Sequence, residues 1–347
     1  MYTATDWLES QRGVANDALK SALADTADLP IYGMLRYFMG YEDQHLKPIE
    51  GAAGKRIRSS LLLGTAEMLG GAKGATDLAV AVELFHNFTL IHDDIEDNDE
   101  LRRGRPTVWK LWGIDHGINA GDAQAFLTTK HLLRAASSDE AGARAAEELN
   151  SHFQQVIEGQ YLDFELTKKP LSDSDVTEEA YLEMIRKKTS VLIGTAAAAG
   201  GVAAGCDINT RDLLFTYGES FGMAYQIADD MSSIWGDVAR TGKRAGGDLA
   251  ERKKTYPVLH ARGHSSNPRL KELYTGTAPL ADTDVQELID IVTDSGAIEA
   301  TRAVGESYVA KATEAAGALP VSDTERKMLG QLVQTLVRFS PEQHASD

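Results

Sequence analysis

An all-α protein is predicted by three features of the sequence. Long apolar runs at helical spacing recur, the clearest being Ala79 to Leu90 and Phe215 to Ala228. No stretch alternates apolar and polar residues with period two over several positions. All nine prolines lie between such segments or at their ends, where a ring without an amide proton interrupts no helix. At 347 residues the chain exceeds the usual domain length, yet nothing in it has linker composition, so one large helical domain over 1–347 is expected.

The elements follow in order. Asp6 with Glu9 forms a candidate capping box for a first helix running to about Ala24, and Pro30 and Pro48 punctuate what comes next. Helices are predicted over Ile57 to Leu69, ended by Gly70-Gly71, and over Thr76 to Asp97, with Gly104 and Pro106 breaking the chain beyond. Ile118 to Ala136 and Asp139 to Leu166 come after, and Thr177 caps a helix whose first turn holds Glu178 and Glu179, where carboxylates favour the dipole. Thr189 to Cys206 is uncharged and rich in Ala and Gly, with too little Leu, Ile or Val to enter a bilayer well. It reads as a close-packed helix, and no transmembrane segment is expected. Asn209 to Trp235 is the last long helix before a loop from Gly236 to Arg252, and shorter amphipathic segments end near Phe339. No repeat at solenoid spacing is present.

A formal charge of −17 argues against nucleic acid and against an anionic membrane surface as partners. The positive charge is nevertheless bunched. Lys55-Arg56-Ile57-Arg58, Arg102-Arg103-Gly104-Arg105, Arg186-Lys187-Lys188, Lys243-Arg244 and Arg252-Lys253-Lys254 hold 14 of the 35 basic residues. Such bunching in an acidic chain suits a small, highly charged anion. Cys206 is the only cysteine, and Met1 to Glu9 has neither a basic region nor an apolar core, so a cytoplasmic protein is expected.

The long helices deliver carboxylates. Asp93, Asp94 and Asp97 end the first apolar run and fall within about 100° of helical arc, while Asp229-Asp230 ends the second. Acidic runs usually form a solvated face, but here each cluster sits where a buried helix delivers it. Crowded carboxylates repel unless a cation intervenes, and oxygen ligands without His or Cys select magnesium or manganese. Two such sets, with the basic clusters and a helical apolar interior, describe a site for a diphosphate on an apolar tail.

On these motifs the chain resembles the polyprenyl synthetase family of trans-isoprenyl diphosphate synthases, over roughly positions 50 to 260. Gly54-Lys55-Arg56-Ile57-Arg58 is similar to the first basic motif, Asp93-Asp94-Ile95-Glu96-Asp97 to the first Asp-rich motif, and Leu101 to Thr107 to the basic segment after it. Gly121-Asp122, Gly159-Gln160 with Asp163, Lys188-Thr189, Tyr225-Gln226 with Asp229-Asp230, Thr241-Gly242-Lys243 and Lys253-Lys254-Thr255 complete the series in the family order. The resemblance implies head-to-tail condensation of isopentenyl diphosphate onto an allylic diphosphate (dimethylallyl, geranyl or farnesyl) in a homodimer. It also implies a group of three magnesium ions completed by substrate, with manganese as a substitute.

Residue by residue, Asp93, Asp94, Asp97 and Asp229 resemble the carboxylates that bind magnesium on the allylic diphosphate, with Asp230 and Asp163 in support. Arg102, Lys188 and Lys243 resemble the residues that neutralise that diphosphate, and Lys55, Arg58, His86 and Arg103 the isopentenyl diphosphate site; Gln160 and Lys253 join the substrate-binding set. Thr189 and Gln226 are expected to turn lone pairs toward an allylic cation. His86 lies seven residues before Asp93, on the same face and about 10 Å lower. His92 and Glu96 point away from that face and read as a packing neighbour and a solvated carboxylate; Trp109, Trp112 and Trp235 read as packing residues.

Ser233 stands where the second Asp-rich motif commonly has its third Asp. Phe88 and Thr89, five and four positions before Asp93, with Phe85 at the eighth, resemble the pattern of synthases that make the C20 product, with C15 or longer products as alternatives. A terpene cyclase would be expected to lack Lys55, Arg58, His86 and Arg103, and a non-catalytic partner subunit to have lost the first Asp-rich motif.

Overall fold

The computed structural model describes residues 3–49, 54–236 and 245–339. Its contacts divide the chain into two compact units, Met1–Phe153 with Thr195–Phe215, and Gln154–Gly194 with Thr216–Asp347. Both are built from helices, as the sequence predicts.

In the first unit, α1 (Ala4–Ala24) starts one turn earlier than expected. Thr3 is its cap: the hydroxyl accepts the Asp6 amide at 3.1 Å, and Asp6 accepts the Thr3 amide at 3.0 Å. Thr3 is extended, which aims its hydroxyl at the third helical amide, so the capping box pairs Thr3 with Asp6 and leaves Glu9 out of it. Helix α2 (Pro30–Phe38) opens on proline, which needs no partner for a missing amide proton. Next come α3 (Ile57–Met68) and α4 (Ala75–Glu96).

Helix α4 is the axis of this unit. Leu78, Val80, Val82, Leu84, Phe85 and Ile91 are all buried although they point in different directions, because α3 covers one side and α6 (Ile114–Ala136) another. Each such side chain contributes about 1.5–3 kcal/mol on leaving water. Gln124 of α6 donates to the Leu84 carbonyl at 2.9 Å, fixing the register of the two helices.

Between α4 and α6 lie a hairpin, β1 (Leu101–Arg102) with β2 (Arg105–Pro106), and the short α5 (Val108–Trp112). Among the described residues, strand pairing is confined to this hairpin and one bridge, Glu42 to Pro48. Two-residue strands are too short for a period-two pattern. Helix α7 (Glu140–Lys168) begins in the first unit and ends in the second.

In the second unit, α8 (Glu178–Ile185) is capped by Thr177, whose hydroxyl accepts the Ala180 amide at 3.1 Å. It runs into a π-helical turn, Arg186–Ser190, and then α9 (Val191–Ala203). Small residues bring backbones together along α9, as expected: within the first unit, Thr65 donates to the Ala197 carbonyl at 2.9 Å, and a side chain at Gly200 would strike the Leu62 carbonyl. Helix α10 (Ile208–Trp235) crosses into the second unit, which Gly247–Ala250, Tyr256–His264, Pro268–Thr275, Asp282–Asp294, Ala297–Ala318 and Asp323–Leu336 (α11 to α16) complete. The expected loop from Gly236 therefore contains one helical turn, α11. No helix among the described residues is long and apolar enough to cross a membrane.

Candidate active site

The first group of predicted residues assembles around the end of α4. Asp97 is its C-cap, with its amide on the Asp93 carbonyl at 2.9 Å, so Asp93 and Asp97 lie one turn apart. The hairpin then doubles back through Arg103 (φ 54°) and Gly104 (φ 73°), a two-residue turn with both residues left-handed, the geometry that matches strand twist. It brings Arg102 onto the aspartates, hydrogen-bonded to Asp94 through Nε and 3.6 Å from Asp93 Oδ2 through Nη2. Arg105 holds the hairpin down: its guanidinium stacks 4.0 Å over the Tyr37 ring and donates to the Glu42 carbonyl at 2.6 Å.

The two aspartates differ sharply. Asp93 is partly exposed, whereas Asp94 is 1% exposed, with one oxygen on Arg102 and Oδ2 without a hydrogen-bond partner. Burial raises the Asp94 carboxyl to about 6, against the opposing pull of Arg102. Asp97 and Glu96 are exposed.

His86 lies two turns up α4. Burial holds its imidazole well below the ordinary value, and the charges of Arg58, Arg103, Arg102 and Arg56 push it the same way, which favours the neutral ring. Arg103 lies alongside Gly54, which joins the two basic motifs; Lys55 is exposed and Arg58 half-buried. His92 packs away from this group, its Nε2 3.2 Å from the Ile118 carbonyl, with Gly121 leaving room for the ring. Phe88 shares that α6 side of the helix. Its ring meets Phe85 edge-on at 5.5 Å and His92 at 5.2 Å, and Phe85 stacks on Phe153 at 3.8 Å. Thr89 donates to the His86 carbonyl at 2.8 Å.

The second group assembles in the other unit. Asp229 is exposed at the end of α10, while Asp230 is buried and accepts hydrogen bonds from the Tyr181 hydroxyl and, at 3.1 Å, from Gln226 Nε2. Burial, then the charge of Asp248, raises the Asp230 carboxyl well above its ordinary value. Gln226 in turn accepts from Thr189 at 3.2 Å, and Lys188 donates to Asp163 at 2.5 Å.

Lys188 and Thr189 both lie in the π-helical turn, a feature common at functional sites. Gly159 of α7 permits it, since a side chain there would overlap the Lys188 backbone nitrogen. Gln160 follows on α7, half-buried. Ser233, in place of a third aspartate, accepts the Asp248 amide at 3.1 Å. Lys253 pairs with Glu251 at 2.8 Å. Lys243 lies outside the described residues.

Tyr181 and Asp248 were not foreseen from the sequence. Tyr181 is a single residue 49 positions from its partner, with no local pattern to mark it. The Gly246-Gly247-Asp248 run was the available signal for the other.

Among the described residues, no three His, Cys, Asp or Glu side chains are arranged to hold a metal ion alone. Asp93 and Asp97 in the first unit, and separately Asp229 in the second, nevertheless offer hard oxygen donors within reach of solvent, which fits ions that take their other ligands from phosphate and water.

The polyprenyl synthetase family model matches residues 43–292, which spans every motif described above. The chain belongs to the polyprenyl synthetase family. It is 36% identical over 292 residues to the geranylgeranyl diphosphate synthase of Mycobacterium tuberculosis (83% of this chain, 82% of the relative). It is 32% identical over 334 residues to the (2E,6E)-farnesyl diphosphate synthase of the same organism (94% and 91%). Among solved structures, a polyprenyl synthetase from Streptomyces coelicolor matches with a TM-score of 0.88 at 33% identity (96% of this chain, 100% of that one). A polyprenyl synthase from Caulobacter crescentus, complexed with calcium and isoprenyl diphosphate, matches at 0.81 and 28% (98% and 99%). As a polyprenyl synthetase, the protein is a prenyltransferase that performs head-to-tail prenyl transfer, in a family that acts on isopentenyl and allylic diphosphates with divalent metal.

Proposed function

We propose that this polyprenyl synthetase is a magnesium-dependent geranylgeranyl diphosphate synthase, which extends dimethylallyl, geranyl or farnesyl diphosphate with isopentenyl diphosphate to the C20 product. The observation that carries the chain length is the single half-buried Phe88, seated on Phe85 and followed by the small Thr89, at the end of α4 that leads to the Asp-rich motif. The similarity to a synthase named for the same product supports it.

In this reading Asp93 and Asp97 of the first unit and Asp229 of the second would each offer oxygens to divalent ions that the substrate diphosphate completes, three in all, with Asp94, Asp230 and Asp163 in support; magnesium would be preferred and manganese able to replace it. Bound ions supply neutralisation of the leaving diphosphate as the carbon–oxygen bond breaks. Asp94 orients Arg102, and Asp163 orients Lys188, so that each cation meets the diphosphate from a fixed direction; Asp230 does the same for Gln226. Thr189 and Gln226 turn oxygen lone pairs toward the allylic cation. The electron pair of the isopentenyl double bond then attacks that carbon, and the released diphosphate takes the proton lost afterwards. Lys55, Arg58, Arg103 and neutral His86 bind isopentenyl diphosphate, with Gln160, Lys243 and Lys253 completing the polar set. The chain works as one domain in a homodimer, and its single cysteine suits a cytoplasmic enzyme.

Turnover of labelled isopentenyl diphosphate with each primer, followed by chromatography of the dephosphorylated products, tests this. A C20 alcohol is expected in magnesium and no turnover in excess chelator. In Phe88→Ala, the loss of a bulky stop lengthens the product by one or more C5 units. A C15 product from the parent would assign the farnesyl alternative, and an unchanged length in Phe88→Ala would make Phe88 a core residue only.

A further inference from the structure

Arg56 is one of three cations in a four-residue stretch, and it is the one the protein hides. Its side chain is 0% exposed, while Lys55 before it is exposed and Arg58 after it half-buried. The backbone accomplishes this separation. Arg56 caps α3 in the left-handed region (φ 51°), a conformation that costs an L-residue about 1–2 kcal/mol.

Inside, the guanidinium is fully engaged. Nη1 donates to Glu83 Oε1 at 3.1 Å, Nη2 to the Met39 carbonyl at 3.1 Å and Nε to Asn16 Oδ1 at 3.1 Å. Glu83, itself buried, also accepts from Ser59 at 3.0 Å, and its carbonyl accepts from Asn87 at 2.7 Å. The pair thus ties the turn carrying Lys55 and Arg58 to α1, to the end of α2 and to α4. On α4, Glu83 stands three residues before His86, one helical turn away.

A buried ion pair is a poor way to gain stability, because desolvating two charges costs several kcal/mol that their attraction only partly returns. A rigid, directional fork is a good way to fix one backbone segment against another. We propose that Arg56, through Glu83, is a positioning residue for isopentenyl diphosphate: it sets Lys55 and Arg58 at the distance from His86 that the diphosphate requires, without touching it. This rests on the binding set assigned above, and it adds a residue and a specificity for one of the two substrates.

Arg56→Lys keeps the charge and loses the fork. It raises KM for isopentenyl diphosphate by about tenfold or more, the scale on which supporting contacts tune a site, and leaves KM for the allylic diphosphate unchanged. Arg56→Met with Glu83→Leu removes both charges at once, so that no charge is left buried without its counterpart and only neutral groups, the Met39 carbonyl, Asn16 and Ser59 among them, lose a partner. This pair melts near the parent temperature and shows the same one-sided rise. A purely structural ion pair predicts the reverse, a lower melting temperature with both KM values unmoved or moved together, and that result overturns the proposal. Calorimetric binding of isopentenyl diphosphate to the parent separates the two levels: no binding there overturns the assigned site and the proposal together, whereas parent binding with an unaltered Kd in the paired variant overturns the proposal alone.

Discussion

Asp93 and Asp94 are neighbours in sequence, yet only Asp93 keeps its carboxylate within reach of solvent, and Asp229 and Asp230 divide the same way. Removing an outer carboxylate relieves repulsion and disturbs no packing. Asp93→Ala and Asp229→Ala are therefore expected to lose about 10²–10³-fold or more in kcat while keeping the parent melting temperature. The inner carboxylate behaves differently. Burial lifts the Asp94 group from 3.8 to about 6, so the folded protein holds a proton between those values that the unfolded chain releases. Its contribution favours folding below about pH 4 and is lost as pH rises through 6. Asp94→Asn should accordingly unfold at higher urea than the parent at pH 7.5, by at most about 3 kcal/mol, with the difference vanishing near pH 4. A variant less stable than the parent at pH 7.5 would mean that the bond to Arg102 outweighs the burial.

The π-helical turn at Arg186–Ser190 packs against α7 at Gly159, where only a glycine leaves room for the Lys188 backbone. Gly159→Ala puts a methyl group against backbone, which cannot rotate away, so a loss of about 1–3 kcal/mol is expected on thermal unfolding. Turnover should fall further than that loss explains, because Lys188 and Thr189 move with the turn; unaltered kcat in a folded variant would show the turn to be incidental. This element also marks the limit of what could be read in advance. The long helices and both aspartate clusters were legible, since they follow from periodicity and from charge placed against apolar runs. The π turn was not, because the residue that makes room for it lies some thirty positions away along the chain. Nor was the difference between Arg56 and its neighbours: the cations of Lys55-Arg56-Ile57-Arg58 look alike as letters, and neither the positive φ of Arg56 nor the burial of its guanidinium is written in them. The Leu101–Pro106 hairpin is not legible in the sequence because its strands are shorter than the pattern that identifies strands.

At the scale of the molecule, α6 carries an apolar stripe that the described chain leaves uncovered. Ile118, Phe126 and Leu133 are 44%, 77% and 64% exposed, and they fall within about 80° of helical arc. With Thr129, Lys130, Arg134 and Ser137, Phe126 and Leu133 line a shallow groove. Exposed aromatic and aliphatic side chains aligned in this way are what a symmetric interface buries, since a twofold axis places the same stripe on each partner. The unaltered protein should sediment as a dimer at micromolar concentration, and Phe126→Asp with Leu133→Asp as a folded monomer; a parent that sediments as a monomer would contradict the homodimer. The division of labour within each aspartate pair has an evolutionary consequence. Because the outer carboxylates contribute little to folding, a duplicated gene can lose Asp93, Asp97 and Asp229 by drift and still encode a stable chain. At positions 94 and 230 a hydrogen-bond acceptor, aspartate or asparagine, would remain under selection for as long as the fold did, because Arg102 donates to the one and Tyr181 and Gln226 to the other. Inactive descendants of such an enzyme should therefore be recognisable by an asymmetric scar, with the first aspartate of each pair freely replaced and the second kept as aspartate or asparagine.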